Sequence, residues 1–326
     1  MSRERFELLK GVADEIIATA GTESNVKEIF DKVQEIKATR KDNLVFNQFE
    51  EMGNYLWHYN VTANAILETF DCLKGAKNLA GVCFTSGSGG TLASGDAVKQ
   101  KHPRARIAAG EALQCPTMLD NGFGDHRIEG IGDKHIPWVH NIKNTDMVIA
   151  VDDNYPMAYL RLFNEKSGRE YLRSECGLSQ EEVNKLSFMG ISGITNMIMA
   201  IKFAKYYELN GNDCVFTVLT DSIDMYQSRL EEMREEQGEY TSIKAAIDLS
   251  LLHHTGTDNM IDLGYRDRKR IHNLKYYTWV EQQGRDAREL DEQWYDEEKA
   301  WISVQNQAKD LDELIIDFNK RTGLLD

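Results

Sequence analysis

Proline is scarce: four residues in a chain of 326, too few for a proline-rich linker. Cysteine is sparse and scattered. The five residues Cys72, Cys83, Cys115, Cys176 and Cys214 include no CxxC pair. That argues against a disulfide frame or a zinc site and for reduced thiols in a cytoplasmic protein. Basic charge is short, with 38 Lys and Arg against 53 Asp and Glu. The net charge of −15 and a pI near 5.1 argue against nucleic acid or an anionic membrane surface as partner. No apolar run approaches the roughly 18 residues of a membrane span. The opening MSRERFELLKG lacks the apolar stretch of a secretory signal. There is also no internal repeat and no low-complexity segment.

Apolar residues make up 41% of the chain, enough for a large core. Their pattern alternates between helix and strand periods. RERFELLKGV reads as helix, DEIIATAG as strand, NVKEIFDKVQEIKATR as an amphipathic helix and NLVFNQF as strand. In the second helix Val26, Ile29, Val33 and Ile36 share one face, widened by Phe30. YLWHYNVTANAILETFDCL reads as helix, AKNLAGVCF as strand, TLASGDAVKQKH as helix, ARIAAGEA and TDMVIAVDD as strands, ITNMIMAIKFAKYYEL as an apolar helix and DCVFTVLTDS as strand. This order predicts an α/β fold: a doubly wound, mostly parallel sheet with flanking helices. After about Leu230 strand signal disappears, and the tail reads as a charged helical extension.

The segment SGSGGTL (Ser86–Leu92) joins a strand to a helix. Such a turn points several backbone N–H groups to one side, where the helix dipole adds positive potential. Glycine lets that backbone approach an anion. The spacing is neither GxGxxG nor GxxxxGK[ST], so neither the dinucleotide nor the Walker reading applies. The alternatives are a phosphate cradle and a tight packing turn. Two more glycine clusters follow in order, IEGIGDKHIP and FMGISGITN.

The order GSGGT, ARIAAGEA, IEGIG, TDMVIAV, GIS and LTDSIDMYQSRL resembles the fold type II pyridoxal phosphate enzymes, the cysteine synthase and tryptophan synthase β-chain superfamily, with the cysteine synthase branch nearest. The resemblance runs from Met1 to about Leu230. It implies a pyridoxal 5′-phosphate cofactor and β-elimination or β-replacement on a small amino-acid substrate. By that resemblance Gly87, Ser88, Gly89, Gly90 and Thr91 bind the phosphate. Ser222 faces the pyridine nitrogen with a neutral hydroxyl, and Gln48 of the Gln-Phe segment lies near the substrate carboxylate. Thr220 stands where the family usually has proline.

The family's Schiff-base lysine and its Asn-containing loop lie upstream of the stretch that Met1 resembles. Lys74, Lys99, Lys101, Lys134 and Lys202 lie nearest the glycine clusters, and none has the family's Ser-x-Lys context. No catalytic residue is therefore assigned. The resemblance implies a chain incomplete as an enzyme: a partial small α/β domain at 1–55, a large cofactor-binding domain at 56–230 and a helical extension at 231–326. It implies a homodimer or a split-enzyme partner. The alternative is a non-catalytic binding or scaffold subunit that keeps the fold.

His58 and His126 have the pKa range of acid–base groups, and His58 reads as a hydrogen-bonding residue near a helix start. The adjacent histidines of LLHHTGTD lack a third ligand, so no metal site is assigned. Trp279, Trp294 and Trp301 in the charged tail require burial, on the body of the chain or on a second subunit. DELIIDFNKRTGLLD presents an apolar face at Leu314, Ile315 and Phe318.

Overall fold

The computed structural model describes residues 1–22 and 24–325. Helices α1 (Arg3–Lys10) and α2 (Lys27–Thr39) come first, followed by α3 (Met52–Trp57), a π turn (His58–Thr62) and α4 (Ala63–Cys72). The central part runs β1 (Asn78–Thr85), α5 (Gly90–Lys101), β2 (Arg106–Ala112), α6 (Thr117–Asp120), β3 (Met147–Val151), α7 (Asn154–Asn164), α8 (Lys166–Ser174), α9 (Gln180–Leu186), α10 (Ile191–Tyr206) and β4 (Asp213–Phe216). Then follow α11 (Gln227–Gln237), α12 (Ser242–His253), β5 (Met260–Asp262), α13 (Tyr265–Lys275), α14 (Ala287–Tyr295), α15 (Ser303–Gln305) and α16 (Ala308–Arg321).

The sheet order is β4-β1-β2-β3-β5. The first four strands are parallel, with Val82 opposite Ile107 and Ala108 opposite Met147, whereas β5 pairs antiparallel to β3. Alternate residues feed two cores, as a sheet covered on both faces requires. Cys83, Ala108, Met147 and Ile149 pack with Ile194, Ile198 and Phe203 of α10 and with Leu230 of α11. Val82, Phe84, Ile107 and Val148 pack with Ile66 and Leu67 of α4, Leu92 and Val98 of α5 and Ile271 of α13. Among the described residues no single helix is long and apolar enough to cross a membrane.

Three expectations need correction. Residues 14–21 and 43–49 form no strand, because no sheet edge lies beside them and β propensity counts only against a partner. The tail does contribute a strand, β5, three residues long. The apolar face expected on α2 is only partly used: Val26 and Phe30 are buried, while Ile29 is 44% exposed.

The three tail tryptophans are buried against the chain's own body. Trp279 packs with Phe30, Phe49 and Trp138, and Trp301 with Tyr55 and Val139. Trp294 meets His272 and Tyr265. Their burial requires no second subunit. Between them Lys275 is wholly enclosed. Its ammonium donates to the carbonyls of Trp138 (2.9 Å) and His140 (2.8 Å) and to Oε1 of Gln293 (2.7 Å).

Candidate cofactor site

Strand β1 ends at Thr85, and the chain turns through Ser86–Gly89 into α5. Ser86 is clamped by two backbone bonds: its N–H donates to Gly110 O (2.8 Å), and its carbonyl accepts from Gly132 N–H (2.9 Å). Gly89 is the N-cap, in the left-handed region at φ +81°, a conformation that side-chained residues rarely adopt. Gly87 is required by close approach: a Cβ there would lie 2.3 Å from the carbonyl oxygen of Gly130. The N–H groups of Gly87, Ser88 and Gly89 donate to no protein acceptor among the described residues. Three unclaimed donors at the start of a twelve-residue helix make an anion-binding turn.

These donors open into a cavity of about 270 Å³ that also includes Gly130, Ser192, Asn196, Thr220 and Asp221. Asn196 fixes the floor, accepting from Thr85 N–H (2.8 Å) and donating to Val218 O (2.9 Å). The Ser192 and Thr220 hydroxyls lie 3.1 Å apart. Asn54 donates to Ser88 Oγ (3.1 Å), tying α3 to the loop. His58 lines the cavity from the π turn, with Nδ1 on Thr62 Oγ1 (2.8 Å). Burial holds its pKa below the usual histidine value, favouring the neutral ring.

The far wall holds a charged cluster. Arg5 of α1 ion-pairs with Asp221 and donates to Tyr226 OH (2.7 Å). Tyr226 in turn donates to Asp221 Oδ2 (2.5 Å). Burial, and then the neighbouring Asp221, push the Tyr226 phenol well up, so it remains a donor. Glu129 accepts from Ser2 N–H (2.9 Å) and Arg229 Nε (2.8 Å).

A chain with a parallel sheet in this order, and an open anion turn between β1 and α5, can be compared with known proteins. No protein-family model matches it. The cysteine synthase of Staphylococcus aureus strain Mu50 is 29% identical over 231 residues, which is 70% of this chain and 66% of that protein. Cysteine synthase B of Campylobacter jejuni is 28% identical over 204 residues, 62% of this chain and 59% of the relative. Among solved structures, a hydrogen sulfide-producing enzyme of Fusobacterium nucleatum aligns at TM-score 0.57 and 25% identity. That alignment covers 76% of this chain and 67% of the other. In sequence and in fold the chain is thus similar to the fold type II pyridoxal phosphate-dependent enzymes. The cysteine synthase of Entamoeba histolytica shares the fold at TM-score 0.58 and 24% identity, over 78% of this chain and 67% of the other. The chain spans about two thirds of the length of the curated relatives it matches.

Within that superfamily frame, the structure brings Gly87, Ser88, Gly89, Gly90 and Thr91 together on the cavity. It does not bring Ser222 there. The Ser222 hydroxyl turns back to accept from Asp224 N–H (3.3 Å) and donate to Asp224 Oδ2 (3.1 Å), capping the short turn at Ile223–Met225. Thr220 and Asp221 line the cavity in its place. Gln48 is exposed and outside the lining, and its backbone carbonyl accepts from Asn54 (2.9 Å). Among the described residues no lysine lines the cavity. Lys99 pairs with Asp146, Lys134 with Asp125 and Lys202 with Asp258. Sequence reasoning missed Arg5, Asp221 and Tyr226. The resemblance at LTDSIDMYQSRL pointed to the right segment, but nothing in the sequence linked it to α1.

Proposed function

We propose that the cavity binds pyridoxal 5′-phosphate and that the chain serves β-elimination or β-replacement on a small amino acid. The observation that carries this reading is the row of unclaimed N–H groups at Gly87–Gly89, opening on the N-terminus of α5. The donor set suits a phosphate dianion: backbone N–H groups, the Ser88 and Thr91 hydroxyls and the helix dipole, with no carboxylate in the loop itself. When bound, the cofactor supplies an electron sink for the α-carbon of the amino acid. The protein's own part would be to hold the phosphate at Gly87–Thr91, with Ser192, Thr220 and Asp221 offering polar contacts from the rest of the lining. Arg5 ion-pairs with Asp221 beside the cavity, and the Tyr226 hydroxyl donates to it.

The residues Gly87, Ser88, Gly89, Gly90 and Thr91 are the proposed cofactor contacts. The base that the chemistry requires is a lysine in this family, and the lining supplies none, so it enters from outside this set of residues. The same observation supports a second reading, a binding subunit without turnover. Both are tested together. Purified chain is titrated with pyridoxal phosphate by absorbance and by phosphorus NMR, then treated with borohydride and mapped by mass spectrometry. The expected result is saturable one-to-one binding without stoichiometric trapping at a single lysine. Absence of saturable binding refutes the site. Trapping on one lysine, with release of acetate from O-acetylserine, refutes the binding-only reading.

A further inference from the structure

Among the described residues two surfaces are left uncovered, and they complement each other. The first is α16, in which no residue is buried. Leu311, Leu314, Ile315 and Phe318 recur at i, i+3, i+4 and i+7, one stripe along the helix. They are 37%, 64%, 56% and 61% exposed. Asp310 and Asp317, one heptad apart, run along one edge of that stripe; Asp317 has an exposed ion pair with Arg321 (3.6 Å), of the kind that is readily exchanged. A helix of fourteen residues is marginal in water by its own bonds, so an apolar stripe on it calls for a surface to cover it.

The second is a groove of about 820 Å³ on α13. Its floor includes Leu274 and Leu290, and Arg266, Lys269 and Arg270 line it from one face of α13. Arg270 is engaged with Asn121 and the carbonyls of Met118 and Leu119. Neither Arg266 nor Lys269 forms an ion pair among the described residues, although the chain carries 53 carboxylates. Lys269 instead lies 4.7 Å from the ring centroids of Trp294 and Tyr295.

We propose that α16 of one copy docks in the α13 groove of a second copy. The apolar stripe covers Leu274 and Leu290, and Asp310 and Asp317 meet Arg266 and Lys269. Charge complementarity favours this pairing: Arg266, Lys269 and Arg270 outnumber Asp291 in the apolar-floored groove, and on α16 the carboxylates Asp310, Asp312, Glu313 and Asp317 outnumber Lys309, Lys320 and Arg321. Exchange of the two helices about a two-fold axis satisfies both grooves at once.

The experiment is light scattering of the full chain across a wide concentration range, with three full-chain variants. The expected mass is twice 37.2 kDa. Reversal of the groove (R266E with K269E) or of the helix (D310K with D317K) weakens association roughly a hundredfold, because like charges then face each other. The chain carrying all four reversals regains it. Circular dichroism of each variant keeps the fold as a control, since none of the four residues is buried. A monomer at every concentration overturns the proposal, and so does a dimer indifferent to both reversals. A monomer whose Trp294 emission responds to D310K with D317K shows the helix folding onto its own groove, which also overturns it.

Discussion

Replacing Gly87 with alanine tests the phosphate turn at its tightest point. The added methyl would stand 2.3 Å from the Gly130 carbonyl oxygen, a backbone atom that has no rotamer in which to escape. Reaching an ordinary contact of about 3.4 Å means opening the two loops by about 1 Å. A hydrogen bond of ordinary length does not survive such a displacement. Losing one charge-assisted N–H bond to the phosphate costs about 1.5–3 kcal/mol, which weakens cofactor binding roughly 10- to 150-fold. Equilibrium titration with pyridoxal phosphate measures it, and inorganic phosphate serves as a second ligand that reads the turn alone. Gly211→Ala is the control, because a Cβ there meets no atom within 4 Å. If Gly87→Ala binds both ligands like the parent while its thermal transition is intact, the N–H row does not hold a phosphate.

Other substitutions separate neighbouring roles. Ser222→Ala removes only a cap on Asp224, so cofactor affinity is unchanged, whereas Asp221→Asn alters the bound cofactor's absorbance; equal effects of the two would reject the placement of the far wall. His135 lies among Phe30, Phe49 and Trp279, and burial pushes its pKa down to about 3. Its stabilising contribution is complete above about pH 6.5 and is lost as pH falls toward 3, so the parent loses about 1.4 kcal/mol more per pH unit in that window than His135→Phe. Urea unfolding at a series of pH values reads this difference, and parallel curves for the two proteins would contradict it.

The glycine turn was legible because it joins two elements with clear periods, a buried β1 and an α5 that follows at once. What faces the cavity beyond β4 was not. Thr220, Asp221 and Ser222 are all polar and adjacent, and only the turn at Ile223–Met225 decides that Ser222 folds back while its two neighbours line the wall. Arg5 and Asp221 are 216 positions apart, so their pairing follows from how α1 lands on the sheet. The strands expected at 14–21 and 43–49 fail for the opposite reason: their local pattern is sound, but the sheet has no edge there. Strand β5 is too short for a period to show, and it exists because β3 offers it an antiparallel edge.

The enclosure of Lys275 has a practical side. Amine-modifying reagents reach a lysine only as a free amine with room to approach. Lys275 has three acceptors around its nitrogen and no exposed surface. Its bonds join the loop at Trp138–His140 to Gln293 of α14, so no small fluctuation frees it. In a pulse of acetylating reagent the surface lysines label at once, and Lys275 labels only in molecules that have opened the whole tryptophan-lined corner. Mass spectrometry of that one peptide thus gives a clock for the opening of the tail against the sheet.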